Sequence, residues 1–254
     1  MTELRLAFAF LTRLPVGEPT GGAAAHARAS RYFGLTGAVI AVHVVLAVLA
    51  GAWFFDRGVA CVLAIGVWAV LSGGLHLDGL ADCIDGLSTN GTAGRRLQAM
   101  HDPRIGGLGA VGLVLWLALK GALLSRCIDA GTVAQAVWCA AVFARAPLAF
   151  ELSEGEPATP GRGLFAWLHP EVRRPDWLIA VLLGAVLLLP AALPGGMIAA
   201  RVVVGVVIGA LVTLAWHLLW YRRIGGLSGD VLGGAVELRE GIMLGAMAAQ
   251  LPWG

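Results

Sequence analysis

Three aspartates at helical spacing are the residues of this 254-residue sequence best suited to chemistry. Asp78, Asp82 and Asp85 lie within one short stretch, His76–Gly86. An α-helix turns by about 100° per residue, so all three carboxylates share one face and follow one another about one turn apart. Like charges at this spacing repel one another. The pattern therefore indicates that a cation lies among them, or that some of them are protonated.

The cation that this acidic stretch favours is Mg²⁺. Carboxylate oxygens are hard ligands, and an incomplete set of them suits a magnesium ion that keeps waters and binds a substrate phosphate. Softer metals fit less well, because His76 is the only imidazole near the aspartates in the sequence. His76 either orients an aspartate or has a structural role. A solvated acidic helix end is the competing interpretation of the whole stretch.

Two further polar segments contain residues suited to binding metal or phosphate. In the first, Asp102 is a candidate metal ligand and Arg104 a candidate phosphate ligand, since arginine can bind phosphate through two parallel hydrogen bonds. Asp102 and Pro103 also fit an ordinary helix start. The second is a glycine-rich turn that opens a helix and presents backbone N–H groups to an anion. Its candidate residues are Gly226, Ser228, Gly229, Asp230 and Glu237. A flexible connector is the alternative for this turn.

The elements that must position these segments are membrane-spanning helices. Apolar residues make up 58% of the chain and charged residues 13%, with a mean hydropathy of +0.81. A soluble domain carries about a quarter charged residues, so the composition excludes a water-soluble enzyme, a disordered chain and a nucleic-acid-binding protein with a basic face. The 4 cysteines show neither CxxC spacing nor clustering, so neither a disulfide framework nor a zinc site is indicated.

Seven apolar segments are long enough to cross a bilayer, which takes about 20 residues of helix. The predicted spans are Phe33–Phe55, Val59–Leu77, Ile105–Leu124, Thr132–Phe150, Trp177–Leu193, Ile198–Trp220 and Val236–Trp253. The N-terminal run Leu6–Leu11 is too short to span and is predicted as an interfacial or re-entrant helix. We therefore expect an all-α polytopic membrane bundle of about 7 transmembrane helices, in one domain over residues 1–254.

Arginine placement orients the predicted bundle. If the N-terminus is cytoplasmic, Arg57, Arg126 and Arg201 fall on the opposite face, while Arg145 and most other arginines fall on the cytoplasmic side. This asymmetry follows the positive-inside rule and places all three polar segments in the cytoplasm. The single lysine, Lys120, is predicted to extend to the far interface. No acid is assigned to the middle of a span, which argues against an ion-coupled carrier.

The three polar segments together resemble a known enzyme family. His76–Gly86 has the pattern His-Leu-Asp-Gly-Leu-Ala-Asp-x-x-Asp-Gly, and Asp102–Gly109 has the pattern Asp-x-Arg-x-Gly-x-x-Gly. Gly225–Glu237 has the pattern Gly-Gly-x-Ser-Gly-Asp-x-Leu-Gly-x-x-x-Glu. In this order the motifs are similar to those of adenosylcobinamide-GDP ribazoletransferase, the cobalamin synthase family, and Phe10–Pro15 fits as well. A departure from the family pattern at His101 leaves the acidic positions intact.

The resemblance implies the joining step of cobalamin nucleotide-loop assembly. Adenosylcobinamide-GDP and α-ribazole, or its 5′-phosphate, would give adenosylcobalamin, or its phosphate, and GMP, with Mg²⁺ required. The implied partners are these substrates and a lipid bilayer, with no nucleic acid and with a homo-oligomer left open. The implied location is the bacterial cytoplasmic (inner) membrane, with the site facing the cytoplasm.

The resemblance also implies roles for the candidate residues. The implied metal ligands are Asp78, Asp82, Asp85, Asp102, Asp230 and Glu237, and the implied catalytic residues are Asp82, Asp85 and Arg104. The implied substrate contacts are His76, Arg104, Gly226, Ser228 and Gly229. Bound Mg²⁺ would neutralise charge on the attacking and leaving oxygens. Alternatively, either Asp82 or Asp85 accepts the proton of the attacking hydroxyl.

Two other functions fit parts of the pattern. CDP-alcohol phosphotransferases, which would make the protein a phospholipid synthase, also carry Asp-x-x-Asp-Gly. Their longer motif needs Ala-Arg soon after the first Asp-Gly, whereas Leu87–Asn90 follows Asp85 and Gly86 here. A divalent-cation transporter is the remaining interpretation, and it would take up metal without chemical turnover.

Overall fold

A computed structural model describes residues 2–17, 19–193 and 196–249 as a set of packed helices. In chain order they are α1 (Thr2–Leu11), α2 (Ala23–Ala29), α3 (Phe33–Phe54), α4 (Arg57–Leu71), α5 (Leu75–Ser88), α6 (Ala93–Met100), α7 (Gly107–Asp129), α8 (Val133–Arg145), α9 (Leu148–Glu154), α10 (Gly163–Leu168), α11 (Arg174–Ala192), α12 (Gly196–Ile224) and α13 (Gly229–Ala248). Within the described ranges, the β-type pairing is limited to an isolated bridge between Pro157 and Leu227. The predicted all-α fold is confirmed.

Five helical segments are long and apolar enough to cross a membrane. They are Ala23–Phe54, Gly107–Asp129, Val133–Glu154, Arg174–Ala192 and Gly196–Ile224. Each contains most of one predicted span. Their outer faces expose large apolar side chains such as Leu49, Val114 and Leu182, as expected for contact with lipid. The end of a further predicted span, Val236–Trp253, lies outside the described residues.

The predicted span Val59–Leu77 is broken instead of continuous. α4 ends at Leu71, and α5 begins at Leu75 at an angle of 91° to it. The turn is made by Gly73 and Gly74, whose φ angles of +64° and +70° lie in the left-handed region that glycine adopts without steric cost. The acidic helix α5 therefore lies at about a right angle to α4, and the count of spanning helices by length and composition is 5, or up to 6 if the bent pair is one span.

α13 carries charged residues in its middle that are buried in the bundle, and over its described residues this helix is not among those that pass as membrane spans. Glu237, Arg239 and Glu240 are 3%, 1% and 0% exposed. The expectation that Lys120 extends to the far interface is wrong, because its Nζ lies 2.8 Å from Glu237 and 2.5 Å from Glu240. Arg145, predicted on the cytoplasmic side, is buried in the bundle and pairs with Glu240 at 2.8 Å. We call Lys120, Arg145, Glu237 and Glu240 the buried ion network.

The arginines assigned to the far face do lie at one end of the bundle. Arg57 pairs with Asp129 at the end of α7, and Arg126, Asp129 and Arg201 line one crevice. The acidic helix contacts the other end of α7, where Gly109 donates a hydrogen bond to Asp85. At 1.5 Å per residue, the two ends of α7 are about 33 Å apart. The fold therefore separates the acidic stretch from these arginines by roughly the thickness of a bilayer core.

Helices α3 and α8 approach too closely at Gly37 to leave room for a side chain. A Cβ there would lie 2.2 Å from the carbonyl oxygen of Ala141. We expect Gly37→Ala to force the helices apart and to lower the free energy of unfolding by about 1–3 kcal/mol. Gly66→Ala is the matched control, because nothing lies within 4 Å of that position on α4, and it should be neutral or slightly stabilising. Thermal unfolding in detergent compares the two, and equal Tm values would contradict the close contact.

Candidate active site

The structure brings Asp230 of α13 to the acidic face of α5. The two helices cross at Gly79, where an added Cβ would lie 2.8 Å from the carbonyl oxygen of Asp230. Asp82 consequently lies within electrostatic reach of Asp78, Asp85 and Asp230. Two of the three polar segments predicted from sequence therefore meet at one point. We call Asp78, Asp82 and Asp230 the acidic cluster.

The acidic cluster has little compensating positive charge, and the basic group that acts on Asp230 is the imidazole of His101. In the described part of the chain, none of its three carboxylates forms a salt bridge with lysine or arginine. Asp78 is exposed, and Asp82 and Asp230 are half-buried, so their repulsion is only partly screened by water. Unpaired carboxylate oxygens of this kind fit a hard divalent cation. Among the described residues these side chains do not converge into a formed metal site, so binding an ion requires them to turn toward it.

Asp85 holds the start of α7 instead of joining the acidic cluster. Its Oδ2 accepts a hydrogen bond from the backbone N–H of Gly106, and its Oδ1 accepts one from Gly109, each at 2.8 Å. Added Cβ atoms at these glycines would lie 2.4 Å from the carboxylate oxygens. The two glycines of the second motif are therefore explained by the close approach of Asp85. In this structure Asp85 therefore positions the loop that carries Asp102 and Arg104.

Asp102 and Arg104 pair with each other on an exposed loop. Nε and Nη2 of Arg104 donate to the two carboxylate oxygens of Asp102 at 3.0 and 2.9 Å. These hydrogen bonds lower the pKa of Asp102 to about 2, so this carboxylate stays ionised throughout the neutral range. The Arg104 side chain is 85% exposed. The structure thus leaves the guanidinium accessible to a ligand and does not bring Asp102 into the acidic cluster.

The glycine-rich turn docks a loop and caps a helix. The N–H of Leu227 donates a hydrogen bond to the carbonyl oxygen of Glu156, and the carbonyl oxygen of Leu227 accepts one from the N–H of Ala158, both at 2.8 Å. Gly226 packs against this loop, since an added Cβ would lie 2.5 Å from the Glu156 carbonyl oxygen. Ser228 caps α13 by accepting from the N–H of Val231. Gly226 therefore contacts the protein's own loop, where the sequence predicted a substrate contact.

Glu237 lies deeper in the bundle than the acidic cluster. It shares a face of α13 with Asp230, as predicted, but lies about 10 Å further along the helix. Its Oε2 accepts hydrogen bonds from Trp116 at 2.7 Å and Lys120 at 2.8 Å. Because the Glu237 carboxylate already accepts these two hydrogen bonds, it is poorly suited to bind a metal ion. We therefore do not retain Glu237 among the proposed ligands.

A mostly apolar cavity of about 320 Å³ opens beside the acidic cluster. Its apolar walls come from α1, α9, α10 and α13, and its polar residues include Asp78, Asp230, Ser228, Gly229 and His76. Sequence reasoning missed this cavity, because its walls come from segments far apart in the chain that carry no motif. The structure therefore places three predicted substrate contacts, His76, Ser228 and Gly229, in a pocket together with two acids of the cluster.

Comparisons with known proteins identify the family of this chain. The protein-family model described as cobalamin-5-phosphate synthase matches residues 3–248. The adenosylcobinamide-GDP ribazoletransferase of Roseiflexus sp. (strain RS-1) is 35% identical, over 97% of this chain and 89% of the relative. Proteins of the same name from Ralstonia pickettii (strain 12J) and Bradyrhizobium diazoefficiens are 34% and 33% identical, over 96% and 98% of this chain and 93% and 94% of the relatives. No solved structure gives a significant match. The chain belongs to the cobalamin-5-phosphate synthase family.

Proposed function

We propose that this protein joins adenosylcobinamide-GDP to α-ribazole, or to its 5′-phosphate, and releases GMP. A ribose hydroxyl of the acceptor forms a P–O bond to the phosphorus that carries cobinamide. The P–O bond from that phosphorus to the GMP leaving group breaks, and the product is adenosylcobalamin or its 5′-phosphate. The observation that carries the proposal is an acidic cluster without lysine or arginine partners among the described residues, beside a mostly apolar cavity, in a chain of this family.

Mg²⁺ is the proposed cofactor, and Asp78, Asp82 and Asp230 are the residues proposed to hold it. When bound, the ion supplies neutralisation of the charge on the attacking and leaving oxygens. The carboxylates of the cluster also accept the proton of the attacking hydroxyl. Asp85 is not proposed as this base, since both of its oxygens already accept backbone hydrogen bonds.

The proposed site faces the cytoplasm from the bacterial inner membrane. The far end of the bundle holds Arg57, Arg126 and Arg201. At the acidic helix, Arg96 donates to the carbonyl oxygens of Gly86 and Leu87, Arg13 lies against Gly73, and Arg95 and Arg104 lie close by in the chain. The positive-inside rule puts the end with more arginines in the cytoplasm. A nucleotide-activated donor is then on the same side as the site.

Arg104 is the proposed ligand of the donor's diphosphate. Arg104→Lys keeps the positive charge but loses the planar pair of donors that matches phosphate oxygens. We expect the KM for adenosylcobinamide-GDP to rise about tenfold, equivalent to about 1.4 kcal/mol, with the KM for α-ribazole unchanged. Arg95→Lys, at an exposed arginine of α6, is the matched control and should change neither KM. Steady-state GMP release measures both, and equal effects at the two positions would refute the assignment.

The reaction itself is tested by GMP release from the purified protein in detergent. Adenosylcobinamide-GDP, α-ribazole and Mg²⁺ are supplied together, with and without a chelator. We expect GMP and a cobalamin product in equal amounts, abolished by the chelator and restored by added Mg²⁺. Release of GMP without a cobalamin product would contradict the proposal. A parallel assay with CDP-diacylglycerol should give no turnover, and turnover there without any response to cobinamide would favour a phospholipid synthase.

A further inference from the structure

The cavity beside the acidic cluster is larger and more apolar than metal and phosphate binding require. Phe10 and Phe165 contribute aromatic surface to its walls, and Leu152 and Val236 contribute aliphatic surface. Its volume of about 320 Å³ suits a small organic ring system. A flat, mostly apolar group is therefore the chemistry that these walls would bind.

His76 is one of the polar residues that line this mostly apolar cavity, together with His101, Thr159 and Arg162. The side chain lines the cavity and is only 3% exposed. Arg145 Nη2 lies 3.5 Å from His76 Nδ1, and because a guanidinium can only donate, Nδ1 accepts and the ring proton sits on Nε2. This Nε2 is buried and has no hydrogen-bond partner among the described residues. A buried donor without a partner costs about 1–3 kcal/mol, and a ligand with one acceptor atom would remove that cost.

The substrates of the proposed reaction differ in how well they match these walls. A corrin macrocycle with its side chains is too large for the cavity. Guanine fits by size, but it carries several donors and acceptors, and those that face the mostly apolar walls instead of polar lining residues such as Thr159 and Arg162 lose their hydrogen bonds to water. The benzimidazole base of α-ribazole is flat and apolar. Of its two ring nitrogens one carries the ribose, which leaves the other as a single acceptor.

We propose that this cavity is the acceptor subsite, in which the benzimidazole base of α-ribazole binds and its free ring nitrogen accepts a hydrogen bond from His76 Nε2. The ribose then lies toward Asp78 and Asp230, which line the same cavity. This assignment rests on the proposed function and adds the part of the site that selects the acceptor. It also gives Arg145 a positioning role, because Arg145 fixes which nitrogen of His76 carries the proton.

An atom-replacement experiment tests the hydrogen bond. Binding of α-ribazole to the purified protein with Mg²⁺, without donor, is compared by equilibrium dialysis with an indole riboside in which the free ring nitrogen is C–H. We expect the wild-type protein to bind α-ribazole at least about tenfold more tightly than the analogue. In His76→Phe the two ligands should bind equally. A ratio that is unchanged in the variant would overturn the role of His76, because a purely structural effect weakens both ligands alike.

A cavity-filling variant tests the subsite without touching His76. Leu164 lines the cavity on α10 and is 51% exposed, so Leu164→Trp can enter the cavity without disturbing the core. Leu182→Trp, on the lipid-exposed face of α11, is the matched control. We expect Leu164→Trp to weaken α-ribazole binding at least about tenfold, while the KM for adenosylcobinamide-GDP changes less than twofold. Normal α-ribazole binding by this variant would place the acceptor elsewhere.

The two proposals fail in distinguishable ways. If wild-type protein binds α-ribazole with the expected preference but releases no GMP, the proposed reaction is wrong and the subsite stands. If GMP release is normal but neither Leu164→Trp nor His76→Phe changes acceptor binding, the reaction stands and the subsite is wrong.

Discussion

Replacing Asp82 with asparagine is expected to lower the rate of GMP release by about a hundredfold or more, while the protein stays inserted in the membrane. Asp82 is the acid within electrostatic reach of Asp78, Asp85 and Asp230 together. Asparagine keeps the shape of the side chain and removes the charge on which cation binding and proton acceptance depend. A loss of about 3 kcal/mol of transition-state stabilisation corresponds to this change in rate. Single-turnover GMP release at saturating Mg²⁺ measures it.

The matched control for this substitution is Asp129→Asn. Asp129 is an exposed aspartate at the other end of α7, where it pairs with Arg57. The control should keep close to the full rate, since it removes a charge about 30 Å from the acidic cluster. If Asp82→Asn keeps more than about a third of the activity, or if the control loses as much, the cluster is not the catalytic centre.

Helical periodicity was enough to predict that Asp78, Asp82 and Asp85 lie on one helix. It did not predict the 91° turn before that helix. Gly73 and Gly74 lie inside an otherwise apolar run of spanning length, and glycine is common within membrane helices as well as in turns. The length of an apolar run therefore could not distinguish one straight span from two helices at right angles.

Most features of the site that could not be predicted from the sequence depend on contacts between residues that are far apart in the chain. Asp230 reaches the acidic face because α5 and α13 touch backbone to backbone at Gly79. Asp85 is occupied by Gly106 and Gly109, which lie 21 and 24 residues further along the chain. The local pattern around Asp102 suggested a helix that starts at Pro103, but α7 begins at Gly107 with Gly106 as its N-cap. The pattern also carried no sign of the Asp85 carboxylate that holds this turn.

The buried ion network shows a different limit of sequence reasoning. Lys120 and Glu237 lie 117 residues apart in the chain, and each looks like an isolated charge near the end of an apolar run. An ionisable residue within a span must pair or reach water, and a long lysine side chain can do the second. The packing of α7 against α13 brings Lys120 to Glu237, so the lysine pairs with this acid instead of reaching water. The same packing places buried acids inside the bundle, so an absence of such acids can no longer be used to argue against an ion-coupled carrier. The case for an enzyme therefore rests on family membership and on the acidic cluster.

Replacing Lys120 with methionine is expected to destabilise the folded protein by about 3–5 kcal/mol, because it leaves buried carboxylates without their cation. Lys120 pairs with Glu237 and Glu240, and its Nζ lies 4.6 Å from the centre of the Trp68 ring. Methionine is similar in length and keeps much of the apolar contact. In thermal unfolding at a fixed detergent concentration, Tm should fall by roughly 10 °C.

Two further variants separate lost charge pairing from lost packing. Arg57→Met breaks the exposed pair with Asp129, which should cost no more than about 1 kcal/mol. The double variant Lys120→Met with Glu237→Gln removes one buried charge of each sign, and it should recover at least half of the lost Tm. If Lys120→Met lowers Tm no more than Arg57→Met does, Lys120 reaches the interface as its sequence context alone suggested. The buried ion network would then reduce to the pair that Arg145 forms with Glu240.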